Sequence, residues 1–505
     1  MMSASILKLY NGTSVPRRDI PELPLEEFLR AILDATDHGW RVSAYFGTPD
    51  GGDFRLYCLL ASKAEGVLGL LGAKVAADAA LPSIASLCPQ VSLFEREIAE
   101  QCGLAIEGHP WLKPVRFQRP LFNGPGKGVP EDKEPGVMDF YQVQGHEIHE
   151  VAVGPVHAGI IEPGHFRFQC YGEQVFHLEI SLGYQHRGIE RFMIGGPHPR
   201  SPYQMEAIGG DTTIGHGQAY AMIIEALSGT RVPARAEAIR GIALELERLA
   251  NHTGDLGAIA GDVGYLPTSS FCGRIRGDFL NMSAVLCGSR FGRGLIVPGG
   301  VGFDCNPQQA GLLGSRIATA REELANAVDL LWNTPSVLAR LENTGTVSEE
   351  TARELGLVGP PARGCGLNRD IRRDHPFGIY RMSQIPVVTA TTGDVHARTL
   401  LRWLEAEKSL DFIEEQLRQL PAGVYRNNAG AIAGDQVAVA LTEGWRGEVC
   451  HVAVTDETGR FGRYKIVDPS FHNWQGLAMA LRGQQISDFP LCNKSFNLSY
   501  CGFDL

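Results

Sequence analysis

The sequence predicts an α+β chain in two parts: a small α+β N-terminal domain, then a mainly α-helical bundle with peripheral β-strands. Three observations carry this. The stretch Asn123–Gly136 (NGPGKGVPEDKEPG) concentrates glycine, proline and charge, as a linker does. Beyond it, apolar residues recur at helical spacing over long segments. Strand-like segments stand at both ends of that long part, which makes a bundle with β trim the simplest architecture. The boundaries are 1–122 for the first domain, 123–145 for the linker and 146–505 for the second.

Each element has its own signal. Pro24–Thr36 sets Leu25, Phe28, Leu29, Ile32 and Leu33 on one helical face, and Gly39 follows as a stop. Arg41–Phe46 and Phe54–Leu60 are β-rich runs, and Val91–Gln101 is a second helix with Gly103 after it. In the long part, Phe166–Cys170 and Gln174–Ile180 read as strands. Ala234–Asn251 carries Ile239, Ile242, Ala243, Leu246 and Leu249 on one face, and Gln308–Trp332 and Leu400–Leu420 repeat that pattern. Val449–Val454 and Gly462–Val467 return to strand character.

Composition narrows the function classes. With 505 residues, 44% hydrophobic and 20% charged, the chain can bury a sizeable core. A net charge of -11 argues against nucleic acid as a partner. Met1–Tyr10 has no apolar core of a secretory signal, and no apolar run approaches the roughly 20 residues that span a bilayer. The 11 cysteines are odd in number and scattered, which fits free thiols in a reducing cytoplasm. No two stand three apart, so the chain contains no C-x-x-C. Gly124–Gly128 lacks the frame of a phosphate loop, Gly66, Gly69 and Gly72 are not spaced as a dinucleotide fingerprint, and no H-E-x-x-H is present.

Several motifs carry a resemblance. Phe94–Pro110 reads FEREIAEQCGLAIEGHP, similar to the signature of the 30-kDa-type subunit of respiratory complex I and its hydrogenase relatives. GPVHAGIIEPGHFRF from Gly154, LGYQHRGIERFM from Leu182, IALELERLAN from Ile242, EGWRGE from Glu443, RYKIVDPSFHNWQGL from Arg463 and DFPL from Asp488 resemble the large catalytic subunit of energy-converting [NiFe] hydrogenases and the 49-kDa subunit of complex I. The order is that of a fusion of the two subunits, and E-P-G-H-F-R is nearer the formate-hydrogenlyase type. What this implies is a large subunit at the cytoplasmic face of the membrane, peripheral and attached through partners. The partners implied are an iron–sulphur small subunit with a proximal [4Fe-4S] cluster, a ferredoxin-like subunit, and antiporter-like and anchor subunits in the membrane.

The resemblance also assigns positions. A nickel–iron centre takes two C-x-x-C pairs of thiolates. Counted back from His216, the first pair falls on Gly209 and Thr212; the second, in the family's D-P-C-x-x-C frame near the C-terminus, falls in the best register on Ser499 and Gly502, with Cys501 one residue off. The expectation is a chain without nickel, with no cofactor of its own. The quinone partners of complex I fall on Ile161 and His198, and Tyr203 is a nearby substitute donor. Glu162 matches a proton-path glutamate, or else forms a salt bridge to Arg167 or Arg187. His165 and His216 would line the cavity, and Arg446 matches the arginine beside the metal, free to fold over an acidic neighbour. Arg187 and Glu190 would pair with each other or with a partner, supporting the route from a cluster. Thr212 and Ser499 would make the old pocket polar. The function expected is electron transfer from a partner cluster to a quinone or other non-metal acceptor, coupled to ion movement. The alternatives are a non-catalytic coupling scaffold and, last, an active hydrogenase. Glu95, Arg96 and Glu97 are expected in interface salt bridges.

Overall fold

The computed structural model describes residues 6–122, 134, 136–157, 159 and 161–505. Most of the expected linker therefore lies outside the described residues. The N-terminal sheet runs Leu7–Leu9, Val67–Val75, Asp53–Ser62, Arg41–Asp50, all antiparallel, with Glu22–Leu23 parallel to Val67–Val75. Helix Leu25–Asp37 buries Phe28, Leu29, Ile32 and Ala35, the stripe its periodicity announces. Helix Ser92–Cys102 ends at Gly103, whose φ of 68° closes the last turn in the left-handed conformation glycine favours. Leu56–Leu60 is buried throughout because both faces of its sheet are covered.

In the long part, a three-stranded sheet (Ile148–Val153, His165–Tyr171, Gln174–Ser181) leads into the helices. The bundle is built on Thr213–Ser228, Ala234–Asp262, Leu266–Cys287, Pro307–Trp332 and Val395–Arg418. Ala234–Asp262 runs well past the expected end at Asn251. The glycines that weaken the apolar pattern there are packing sites. A Cβ at Gly257 would lie 2.8 Å from Cys272 Cβ, and one at Gly254 would lie 2.8 Å from Arg276 Cδ. Small residues let this helix approach Leu266–Cys287 closely. Among the described residues no helix is long and apolar enough to cross a membrane.

A second sheet orders the C-terminal region: Phe461–Val467, Gly447–Thr455, Gln436–Gly444 and, at its edge, Thr13–Pro16. That last strand comes from the N-terminal segment, with Val15 opposite Val437. Asn11 anchors it by accepting from Leu441 N and donating to Leu441 O. The two parts are also joined by buried charge. Glu97, on helix Ser92–Cys102, receives Lys465 Nζ at 2.6 and 2.7 Å and pairs with Arg116. Glu95 and Arg96 do not join that seam, contrary to expectation. Glu95 accepts from Ser83 and from Ile84 N, and Arg96 donates to the carbonyls of Lys113 and Pro114.

Candidate functional site

Four segments converge on one buried locus. They are the loop and first turn at Gly209–His216, the turn Trp445–Arg446 between two strands, Asp468 at the end of Phe461–Val467, and Asn497–Gly502 near the C-terminus. His216 is fully buried and shares its Nε2 with Asp468 Oδ2 at 3.0 Å. Its Nδ1 lies 3.1 Å from His451 Nε2, and His451 Nδ1 lies 2.9 Å from the Tyr464 hydroxyl. The result is one hydrogen-bonded chain: Asp468, His216, His451, Tyr464.

Beside it, Arg446 grips Asp211 with Nη1 and Nη2 at 2.6 and 2.8 Å, donates to Thr212 Oγ1 at 3.2 Å and donates through Nε to Asn497 O at 2.6 Å. A paired fork of this kind fixes both orientation and distance. Trp445 lies under the guanidinium, 3.9 Å from its ring centroid, and donates to Asp211 O. The Ser499 hydroxyl accepts from Gly502 N at 2.9 Å, capping the last helix, Tyr500–Asp504. Ser470 N donates to Asp468, and Ser499 N donates to Ser470 Oγ. A Cβ on Gly502 would sit 2.6 Å from Asp468 Oδ2 and 2.8 Å from Ser499 Oγ.

The electrostatics follow from burial and pairing. Burial pushes the Asp468 carboxyl up, but His216 and Arg446 outweigh it and hold the group below the usual range. Asp211 is held low in the same way by Arg446. Burial and then His216 keep His451 well below the ordinary histidine value. Glu247 accepts from Ile214 N at 2.7 Å and Gly215 N at 3.2 Å, at the start of helix Thr213–Ser228. Burial outweighs those bonds and, with Asp211 adding repulsion, pushes its carboxyl up to about 8.

The expected residues divide. Thr212, His216, Arg446 and Ser499 are brought together, with Gly209 and Gly502. The hydroxyls of Thr212 and Ser499 are engaged within the protein. Cys501 Sγ lies 3.4 Å from Ser499 Oγ. Glu162 pairs with neither expected arginine: Arg167 binds Glu150, and Arg187 donates to the carbonyls of Ala207, Ile208 and Cys501. Glu162 instead stands beside the Cys501 thiol, which burial and then that carboxylate push up to about 12. His165 is engaged elsewhere. Its ring meets Phe140 at 5.3 Å, and its Nδ1 lies 3.2 Å from Gly154 O. His198 is half-buried against Phe192, its Nε2 3.4 Å from Ile194 O, while Tyr203 and Ile161 are exposed. Arg187 and Glu190 do not pair. Glu190 binds Arg463 at 3.0 Å and Lys465 at 3.1 Å; burial pushes its carboxyl up, and those cations outweigh it and hold it low.

Sequence reasoning missed Asp211, Glu247, His451, Tyr464 and Asp468. Glu247, Tyr464 and Asp468 lay inside quoted motifs, and His451 lies two alternating positions beyond Gly447 on a strand face. Those were the available signals.

Residues 262–440 and 428–504 match the family model described as the 49 Kd subunit of respiratory-chain NADH dehydrogenase, and residues 15–127 match that of the 30 Kd subunit. A carbon monoxide-induced hydrogenase of Rhodospirillum rubrum is 32% identical over 361 residues, covering 69% of this chain and 97% of the relative. The chain belongs to this large-subunit family. Within it, formate hydrogenlyase subunit 5 of Escherichia coli is 29% identical over 92% of this chain and 84% of its own length. An NADH-quinone oxidoreductase subunit of Gluconacetobacter diazotrophicus is 26% identical over 91% of this chain and 85% of its own length. Both long matches run through the N-terminal part, so the fused two-subunit order is shared. Members of this family are subunits of larger assemblies, and the chain is a complex I-like, hydrogenase-like subunit that works with partners.

Proposed function

We propose that the chain is the large subunit of a membrane-associated oxidoreductase that holds no nickel. Electrons from a [4Fe-4S] cluster in a small partner subunit pass to a quinone or another non-metal acceptor, coupled to ion translocation by membrane subunits. The observation that carries this is the self-paired network at the four expected ligand positions. A nickel–iron centre needs soft thiolates. Gly209, Thr212, Ser499 and Gly502 offer none. A side chain at position 502 would meet Asp468. These residues do not fit that group.

The chain Asp468–His216–His451–Tyr464 supports a role in proton supply. A reduced carbonyl acceptor takes up protons, and linked imidazole and phenol groups can pass them on. The ferredoxin-like subunit would feed the cluster, and the antiporter-like and anchor subunits would hold the assembly at the cytoplasmic face. A second reading, a coupling scaffold without chemistry, is favoured by one observation: Asp211, Asp468 and Arg446 already have internal partners.

The test is metal quantification and quinone reduction on the purified complex, with His216→Ala beside the parent. No stoichiometric nickel, together with quinone reduction that falls at least tenfold in the variant, is the expected result. Stoichiometric nickel would sink the proposal. Absence of quinone reduction in the parent would leave the scaffold.

A further inference from the structure

We propose that the cleft between the two parts of the chain binds a small amphipathic anion: an acyl or aromatic body bearing a carboxylate, sulfonate or phosphate. The cleft holds a cavity of about 560 Å³. That is within the roughly 300–1,000 Å³ of small-molecule sites, which favour seams between domains. Its apolar walls come from both parts, with Leu93 on one side and Phe176, Trp474 and Met479 on the other.

The charges are asymmetric. The wall carboxylate, Glu179, is occupied: Lys113 Nζ binds it at 2.7 Å and Tyr141 N donates to it at 2.8 Å. Arg96 donates at 2.7 and 2.8 Å to two backbone carbonyls and makes no salt bridge among the described residues, although Glu100 and Glu179 lie near enough to act on its charge. Arg482 makes no ion pair among the described residues and stands at the rim. With burial, its charge helps to keep the His177 imidazole neutral. His177 Nε2 has no hydrogen-bond partner among the described residues. Two guanidinium groups without a salt-bridge partner among the described residues, over an aromatic and aliphatic floor, suit an anion with an apolar body. A neutral apolar molecule would leave both cations unused. A dication would be repelled. In a chain of net charge -11, such a local excess of positive charge is a feature of the cleft rather than of the surface at large.

The experiment is a fluorescence titration of the full chain with anilinonaphthalene sulfonate and, separately, with neutral phenylnaphthylamine. Dodecanoate and naphthoate serve as competitors, to separate acyl from aromatic preference. The variants are Ala478→Trp, which fills the cavity, and Arg482→Glu, which reverses a rim charge; circular dichroism checks that both fold. Expected are saturable single-site binding of the sulfonate, displacement by at least one competitor, and affinity at least tenfold weaker in each variant and for the neutral probe. Non-saturable binding, unchanged affinity in either folded variant, or equal affinity for the neutral probe would overturn the proposal. None of these readouts depends on nickel or quinone.

Discussion

Single side chains decide how the locus behaves with pH. Glu247 is the clearest case, because its carboxyl sits at about 8 while an exposed glutamate titrates near the ordinary value. The folded state then binds a proton that the unfolded chain releases. Stability contributed by that protonated form is present at low pH and is lost as pH rises from about 5 to about 8. Glu247→Gln removes the titration and keeps an acceptor oxygen for one of the two donors, Ile214 N or Gly215 N. The variant should show a flatter dependence of unfolding temperature across that window and be the more stable form at its alkaline end, by on the order of 1 kcal/mol or more. A parallel profile for variant and parent would show that Glu247 does not titrate there. The pairing of Arg446 with Asp211 belongs to the same scale. The sequence left the arginine free to fold over an acid, and the acid is the one next to Thr212.

At the scale of elements, one turn holds the arginine in place. Gly359 has φ 65° and begins a short helix against the Trp445–Arg446 turn. A Cβ there would overlap the Arg446 carbonyl and approach Gly447 Cα at 2.6 Å. Gly359→Ala therefore meets both a left-handed backbone and a backbone wall. The strain alone is about 1–3 kcal/mol. Thermal unfolding should fall accordingly, and the Arg446–Asp211 pair should loosen with it. An unchanged transition temperature would show that the turn gives way at no cost. The element lengths were partly legible. Helix and strand periodicities placed Pro307–Trp332, Val395–Arg418, Gly447–Thr455 and Phe461–Val467 within a few residues, and did not announce Thr213–Ser228, Leu266–Cys287 or Gln436–Gly444. Ala234–Asp262 was underestimated because its glycines look like breakers in sequence and act as close-packing sites in the bundle. The strand Thr13–Pro16 gave no local signal, since its partner lies more than 400 residues away in Gln436–Gly444.

On the scale of the whole molecule, the two parts share both a sheet and a buried ionic cluster. Glu97, Lys465, Arg116, Glu190 and Arg463 are nearly inaccessible to solvent. Removing the Glu97 charge takes the carboxylate partner from buried Arg116 and leaves Lys465 with Glu190 alone. Glu97→Gln should cost about 3–5 kcal/mol, the usual penalty for breaking a buried pair. Because the cluster spans the seam, the loss should lower a single cooperative transition that both parts share. Calorimetry giving two separate transitions in the parent chain would contradict that coupling.

Residue identity and order alone determined the family, the fused order of its two portions and the helical character of the larger one. They also determined that four expected ligand positions carry no thiol, because ligand chemistry is a property of the side chain. What the sequence could not determine was which groups meet. The helix start at Thr213, two strand ends and the C-terminal turn are brought together only by the packed fold, and with them Asp211, His451, Tyr464 and Asp468 become neighbours of His216 and Arg446. The reassigned partners of Glu162, Arg187, Glu190 and His165 have the same cause. A charged side chain takes the partner that burial leaves within reach, and sequence spacing does not encode that distance.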